Sequence, residues 1–157
     1  MLEQVVSEVM FEIGQIDLLL ETYADLLERA RTGTLDLVEV TAAASVLHSF
    51  YNGLENVFLS IAKGIDADVP AGTQWHRDLL ARMAEATPTR RPVLTDDLAY
   101  RLGDYLGFRH FYRHSYSFLL EWDKLEKLVK PLAELWEQAK GELLSFLDGL
   151  GSEGQNR

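Results

Sequence analysis

The 157-residue chain contains no cysteine. That excludes a disulfide framework, a thiolate zinc site and a cysteine nucleophile, and it fits a reducing compartment. No apolar run approaches the ~18 residues that a membrane-spanning helix needs. The start, Met1-Leu2-Glu3-Gln4, offers neither the basic nor the apolar region of a signal peptide, so a cytoplasmic location is expected. No strand-like alternation and no internal repeat is present. Proline is scarce, at four residues, and each one marks a break or kink. Basic residues are also few, and the net charge is −10. That sign repels a polyanion and argues against bulk nucleic acid; DNA is not expected as a partner.

The distribution of charge matters more than the sum. Residues 1–64 carry 10 acidic and 3 basic groups. Residues 90–114 carry five arginines against three aspartates, a local positive island in an acidic body. Apolar content of 47% and charged content of 25% are those of a globular domain. The length suits one domain with a core of its own, expected over residues 1–148, with a flexible tail over 149–157.

Helical periodicity runs throughout. Val5, Val9, Ile13, Ile16, Leu20, Tyr23 and Leu27 predict one long helix over 2–31, stopped by Gly33. A second helix is predicted from Leu35 to Lys63, with Val46, Phe50, Leu54, Val57 and Ile61 as its apolar stripe. Asn52 and Glu55 sit on it, either on a solvated face or as a polar pair facing the arginine-histidine stretch described below. Residues 64–72 break the chain. A short third helix follows over 74–86, with Thr73 as its expected cap. His76 opens it and reads as a hydrogen-bonded residue rather than a catalyst. Pro88 and Pro92 forbid continuation. Thr95-Asp96-Asp97 caps a fourth helix. A last helix is predicted from Phe118 to Leu147, kinked at Pro131. The fold class is therefore all-α, a four- to five-helix up-and-down bundle. Trp122, Trp136 and the apolar face of the last helix exceed what a small bundle needs, so a homodimer is expected.

The densest chemistry lies in Arg109-His110-Phe111-Tyr112-Arg113-His114-Ser115-Tyr116. Arginine presents a fork of donors that fits a phosphate and keeps its charge. Histidine moves protons near neutral pH. Together they suit attack of a ribose 2′-hydroxyl on its neighbouring phosphodiester, with arginine stabilising the phosphate charge. At about 100° per residue, Arg109 and Tyr116 share a helix face, whereas Arg109 and His114 lie about 140° apart. One site using both then requires the helix to bend, to end, or to meet a second chain. A plain solvated surface is the competing reading. A zinc site at His110 and His114 lacks a third ligand nearby, and no cofactor is expected.

Arg109, four residues, His114, one residue and Tyr116 resemble the R-x4-H-x-Y signature of the HEPN superfamily, in its HepT-like toxin branch. Residues 50–56 resemble that branch's second helix, residues 75–80 its short third helix, and 108–118 with Trp122 its active-site segment. The resemblance implies a HEPN-like helical homodimer whose motifs meet across the interface. It implies a metal-independent endoribonuclease toxin of a type VII-like toxin–antitoxin pair. Arg109 and His114 would be catalytic, with Asn52, Glu55, His110 and Arg113 in support. The implied partner is a minimal nucleotidyltransferase antitoxin that AMPylates Tyr116, and the implied substrate is tRNA or mRNA. The alternative within the superfamily is a non-catalytic nucleotide-binding or adaptor subunit of a nucleotidyltransferase.

Overall fold

The computed structural model describes residues 1–114, 116 and 120–155. Among them the chain forms helices and no strand: α1 (Leu2–Thr22), α2 (Ala24–Thr32), α3 (Leu37–Ile61), α4 (Trp75–Met83), α5 (Asp96–Arg113), α6 (Trp122–Val129) and α7 (Leu132–Gln155). The all-α bundle expected from the sequence is what the chain adopts. Its five predicted helices are all present, two of them divided. Ser115, Phe118 and Leu119 lie outside the described residues, so the predicted start of the last helix at Phe118 does too.

The first predicted helix bends at Tyr23 (φ −103°, ψ 19°), separating α1 from α2. The ladder is not lost there, because Tyr23 N–H still donates to Leu19 and Leu27 N–H to Tyr23. The Thr22 hydroxyl donates to the Leu18 carbonyl at 2.7 Å. Such a bond back to the preceding turn bends helices.

Asp36 begins α3 with a full capping box: its carboxylate accepts from Glu39 N–H, and the Glu39 side chain accepts from Asp36 N–H. The helix then widens into a π-helical turn, Ala62–Asp66.

Thr73 does not cap α4; Gln74 holds that position without a side-chain bond. The helix also ends earlier than predicted. Its last carbonyls are taken by groups from the following loop. Val93 and Leu94 N–H both donate to Met83, and the Arg90 guanidinium donates to the carbonyls of Arg82 and Glu85. Arg90 is buried and pairs bidentately with Asp66 at 2.7 and 2.9 Å. That pair ties the π-helical turn to the end of α4.

Thr95 caps α5 as predicted, accepting from Leu98 N–H. Pro131 does more than kink the last helix. Its ring cannot donate to the ladder, so α6 ends at Val129 and α7 starts at Leu132. From there α7 runs on to Gln155, with Leu150 buried.

The core lies where α1, α5, α6 and α7 surround α3. Val5, Val9, Ile13 and Ile16 of α1 face it, and Phe50, Leu54, Val57, Phe58 and Ile61 of α3 fill its centre. Trp136 is a core residue rather than surplus apolar surface. It is 2% exposed, and its Nε1 donates to Asp17 at 2.7 Å. No described helix is long and apolar enough to cross a membrane.

Candidate functional site

Three helices converge on Arg109. Helix α3 contributes His48, Asn52 and Glu55, spaced four and three apart and so on one face. Helix α4 contributes Trp75 and His76 at its first turn. Helix α5 contributes Arg109, Tyr112 and Arg113 in its last turns.

The Arg109 side chain is only 13% exposed. Its Nε donates to Asn52 Oδ1, and its Nη1 stands 3.5 Å from Glu55 Oε1. Glu55 is buried, and its other oxygen, Oε2, accepts from His76 Nδ1 at 2.7 Å. A buried carboxylate is costly unless paired, and here one carboxylate holds an arginine and a histidine at once. No described residue bonds Arg109 Nη2, so part of the fork remains for an incoming oxyanion.

Behind Asn52 stands His48. Its Nε2 is 3.1 Å from Asn52 Nδ2, and its ring lies 4.8 Å from that of Tyr112. Burial holds its pKa below the ordinary value, and the charges of Arg109 and Arg113 lower it further. A neutral ring accepts from the Asn52 amide at Nε2. That fixes the amide with its oxygen toward Arg109.

Helix α5 runs unbroken through Gly107 to Arg113. The helix ends there, with His114 as its C-cap (φ −114°, ψ 7°). Of the three ways for Arg109 and His114 to serve one site, ending the helix is the one seen within this chain. A pocket of about 270 Å³ is lined by His76, Arg77, Arg109, His110, Arg113 and His114, among others. The rings of His110 and His114 lie 4.8 Å apart. Arg113, His110 and His114 are exposed, and Tyr116 is 72% exposed. Among the described residues, no group of three or more His, Cys, Asp or Glu could hold a metal ion.

The structure thus joins Arg109, Asn52 and Glu55 by direct contact. It brings His110, Arg113 and His114 to the same pocket without bonding them to Arg109. Asn52 and Glu55 form the polar pair facing the stretch, not a solvated face. His76 is hydrogen-bonded, as the sequence suggests, but its partner is the carboxylate at the centre of the site. His48 is the residue that sequence reasoning missed. The spacing of 48, 52 and 55 puts it on the same helix face, but nothing in the sequence names its partners.

The arrangement can hold a phosphate at Arg109, with two more guanidiniums and three imidazoles on the pocket wall. Neither the curated proteins nor the solved structures yield a match to the chain. A family described as HepT-like protein matches residues 42–150, more than half the chain. The matched span holds every residue named in the site, from His48 to Tyr116. The chain therefore belongs to the HepT-like family of the HEPN superfamily.

Proposed function

We propose that this protein is the ribonuclease toxin of a toxin–antitoxin pair, cleaving RNA without a metal at the Arg109 pocket. The observation that carries this reading is Arg109 itself, braced by Asn52 and Glu55 beside a pocket that His114 also lines. In this reading Arg109 binds the scissile phosphate and stabilises the charge that gathers on it as the 2′-oxygen attacks. His114 supplies proton transfer. Held in place beforehand, the guanidinium loses little freedom on binding phosphate. The acidic body disfavours RNA at large, so a structured substrate such as a tRNA fits better than bulk message.

Control is assigned to Tyr116, whose exposure suits modification by a nucleotidyltransferase antitoxin. An AMP group there adds negative charge and bulk near the basic stretch, and repels RNA phosphate.

Expression in a bacterial host with and without the transferase tests the reading. The protein alone arrests growth, and Arg109→Ala or His114→Ala relieves the arrest. With the transferase, growth resumes and intact mass rises by whole AMP units, a shift that Tyr116→Phe abolishes. Variants as toxic as wild type would remove the catalytic assignment. An unchanged mass, or one that shifts equally in Tyr116→Phe, would remove the modification site.

A further inference from the structure

The Glu55–His76 contact carries more than the family signature accounts for. His76 sits on α4, outside the stretch that holds Arg109 and His114. Its Nδ1 donates to Glu55 Oε2 at 2.7 Å. The acceptor is a buried carboxylate, so Nδ1 is the donor, and in the neutral tautomer with that proton the lone pair lies on Nε2. Arg109 Nη1 lies 3.3 Å from the same Nδ1. Arg109 Nη1 also stands 3.5 Å from Glu55 Oε1, and the Nδ1 proton goes to its nearer, anionic partner, Glu55 Oε2. Trp75 stacks on the imidazole with 3.6 Å between ring centroids, which holds the ring plane. No described residue bonds His76 Nε2, and His76 lines the pocket with Arg109 and His114. A carboxylate behind one nitrogen and an open second nitrogen is the arrangement that makes an imidazole an oriented base. Among the described residues, His114 has no such carboxylate.

We propose that His76 is the general base of the reaction, positioned by Glu55, and that His114 is its general acid. This rests on the ribonuclease reading above. His76 Nε2 takes the proton of the ribose 2′-hydroxyl. The 2′-oxygen forms a bond to phosphorus, and the bond from phosphorus to the 5′-oxygen breaks. Protonated His114 gives its proton to the departing 5′-oxygen. The products are a 2′,3′-cyclic phosphate and a 5′-hydroxyl, and exchange with solvent returns both imidazoles to their starting states. Arg109 neutralises charge on the non-bridging oxygens throughout.

The test is the rate at which full-length protein generates 2′,3′-cyclic phosphate ends on total tRNA and total mRNA, followed across pH. Wild type gives a bell-shaped kcat/KM profile. His76→Ala lowers kcat/KM by about 10²–10⁴-fold, the usual contribution of a proton-transfer group, and removes the acidic limb, which reports the base. His114→Ala removes the basic limb. His76→Gln keeps a donor for Glu55 but cannot take a proton, and shows the same loss as His76→Ala. A His76→Gln variant at wild-type rate reduces His76 to a brace for Glu55 and overturns the proposal. So does a His76→Ala profile that keeps both limbs, and in either case the ribonuclease reading survives. Wild-type protein that leaves both RNA pools intact overturns the two together.

Discussion

His48 shows how a single side chain joins the site to stability. Burial, then Arg109 and Arg113, hold its pKa below the ordinary 6.5. Asn52 and the Tyr112 ring also face it. The unfolded chain therefore takes up a proton that the folded chain refuses. Stability from this group is complete above about pH 6.5 and declines as pH falls through the lower folded value. Protonation would also set an N–H against the Asn52 amide N–H and turn Asn52 Oδ1 away from Arg109. We expect thermal stability to fall as pH drops below about 6.5, and His48→Gln to flatten that part of the curve. Equal slopes in the two proteins would show that His48 does not titrate as described. Arg109, Asn52 and Glu55 were legible in the sequence because their chemistry is dense or set into an apolar stripe. His48 was not, because it stands in the run Val46-Leu47-His48-Ser49-Phe50 and only the fold supplies its partners. His76 was legible as a bonded residue. The identity of its partner was not, because Glu55 lies 21 residues away on another helix.

Among elements, the contact that sets the site's frame is α1 against α3. A Cβ at Gly53 would stand 2.8 Å from Ile16 Cγ1 and 3.0 Å from its Cδ1. The two helices approach closely because that atom is missing, and Asn52 and Glu55 flank it on α3. Gly53→Ala should therefore destabilise the fold by roughly 1–3 kcal/mol through overpacking, offset by about 1 kcal/mol of helix propensity. Gly107, on α5 beside the pocket, has nothing within 4 Å of a Cβ, so Gly107→Ala should stabilise by up to about 1 kcal/mol. Urea unfolding measures both. Gly53→Ala as stable as wild type would mean that the helices separate without cost. Apolar periodicity made every predicted helix legible, and Thr95 and Pro131 were legible from residue type alone. The bend at Tyr23 was not, because a threonine hydroxyl makes it rather than a proline or glycine. The early end of α4 was not, because Arg90 and Val93 reach back across a loop to terminate it.

For the whole molecule, the apolar surplus that suggested a homodimer lies elsewhere than the sequence indicated. Trp136 fills the core, whereas Met10, Phe11 and Leu18 of α1 are 46%, 62% and 55% exposed. A dimer that covers α1 should sediment as such at micromolar concentration and dissociate on Phe11→Asp with Leu18→Asp; a wild-type monomer would count against it. The ribonuclease chemistry meets its most direct test in RNA incubated with purified protein and excess chelator. Cleavage to 2′,3′-cyclic phosphate and 5′-hydroxyl ends is expected, lost in both Arg109→Ala and His114→Ala. RNA left intact by wild type, or cut equally well by either variant, would contradict it.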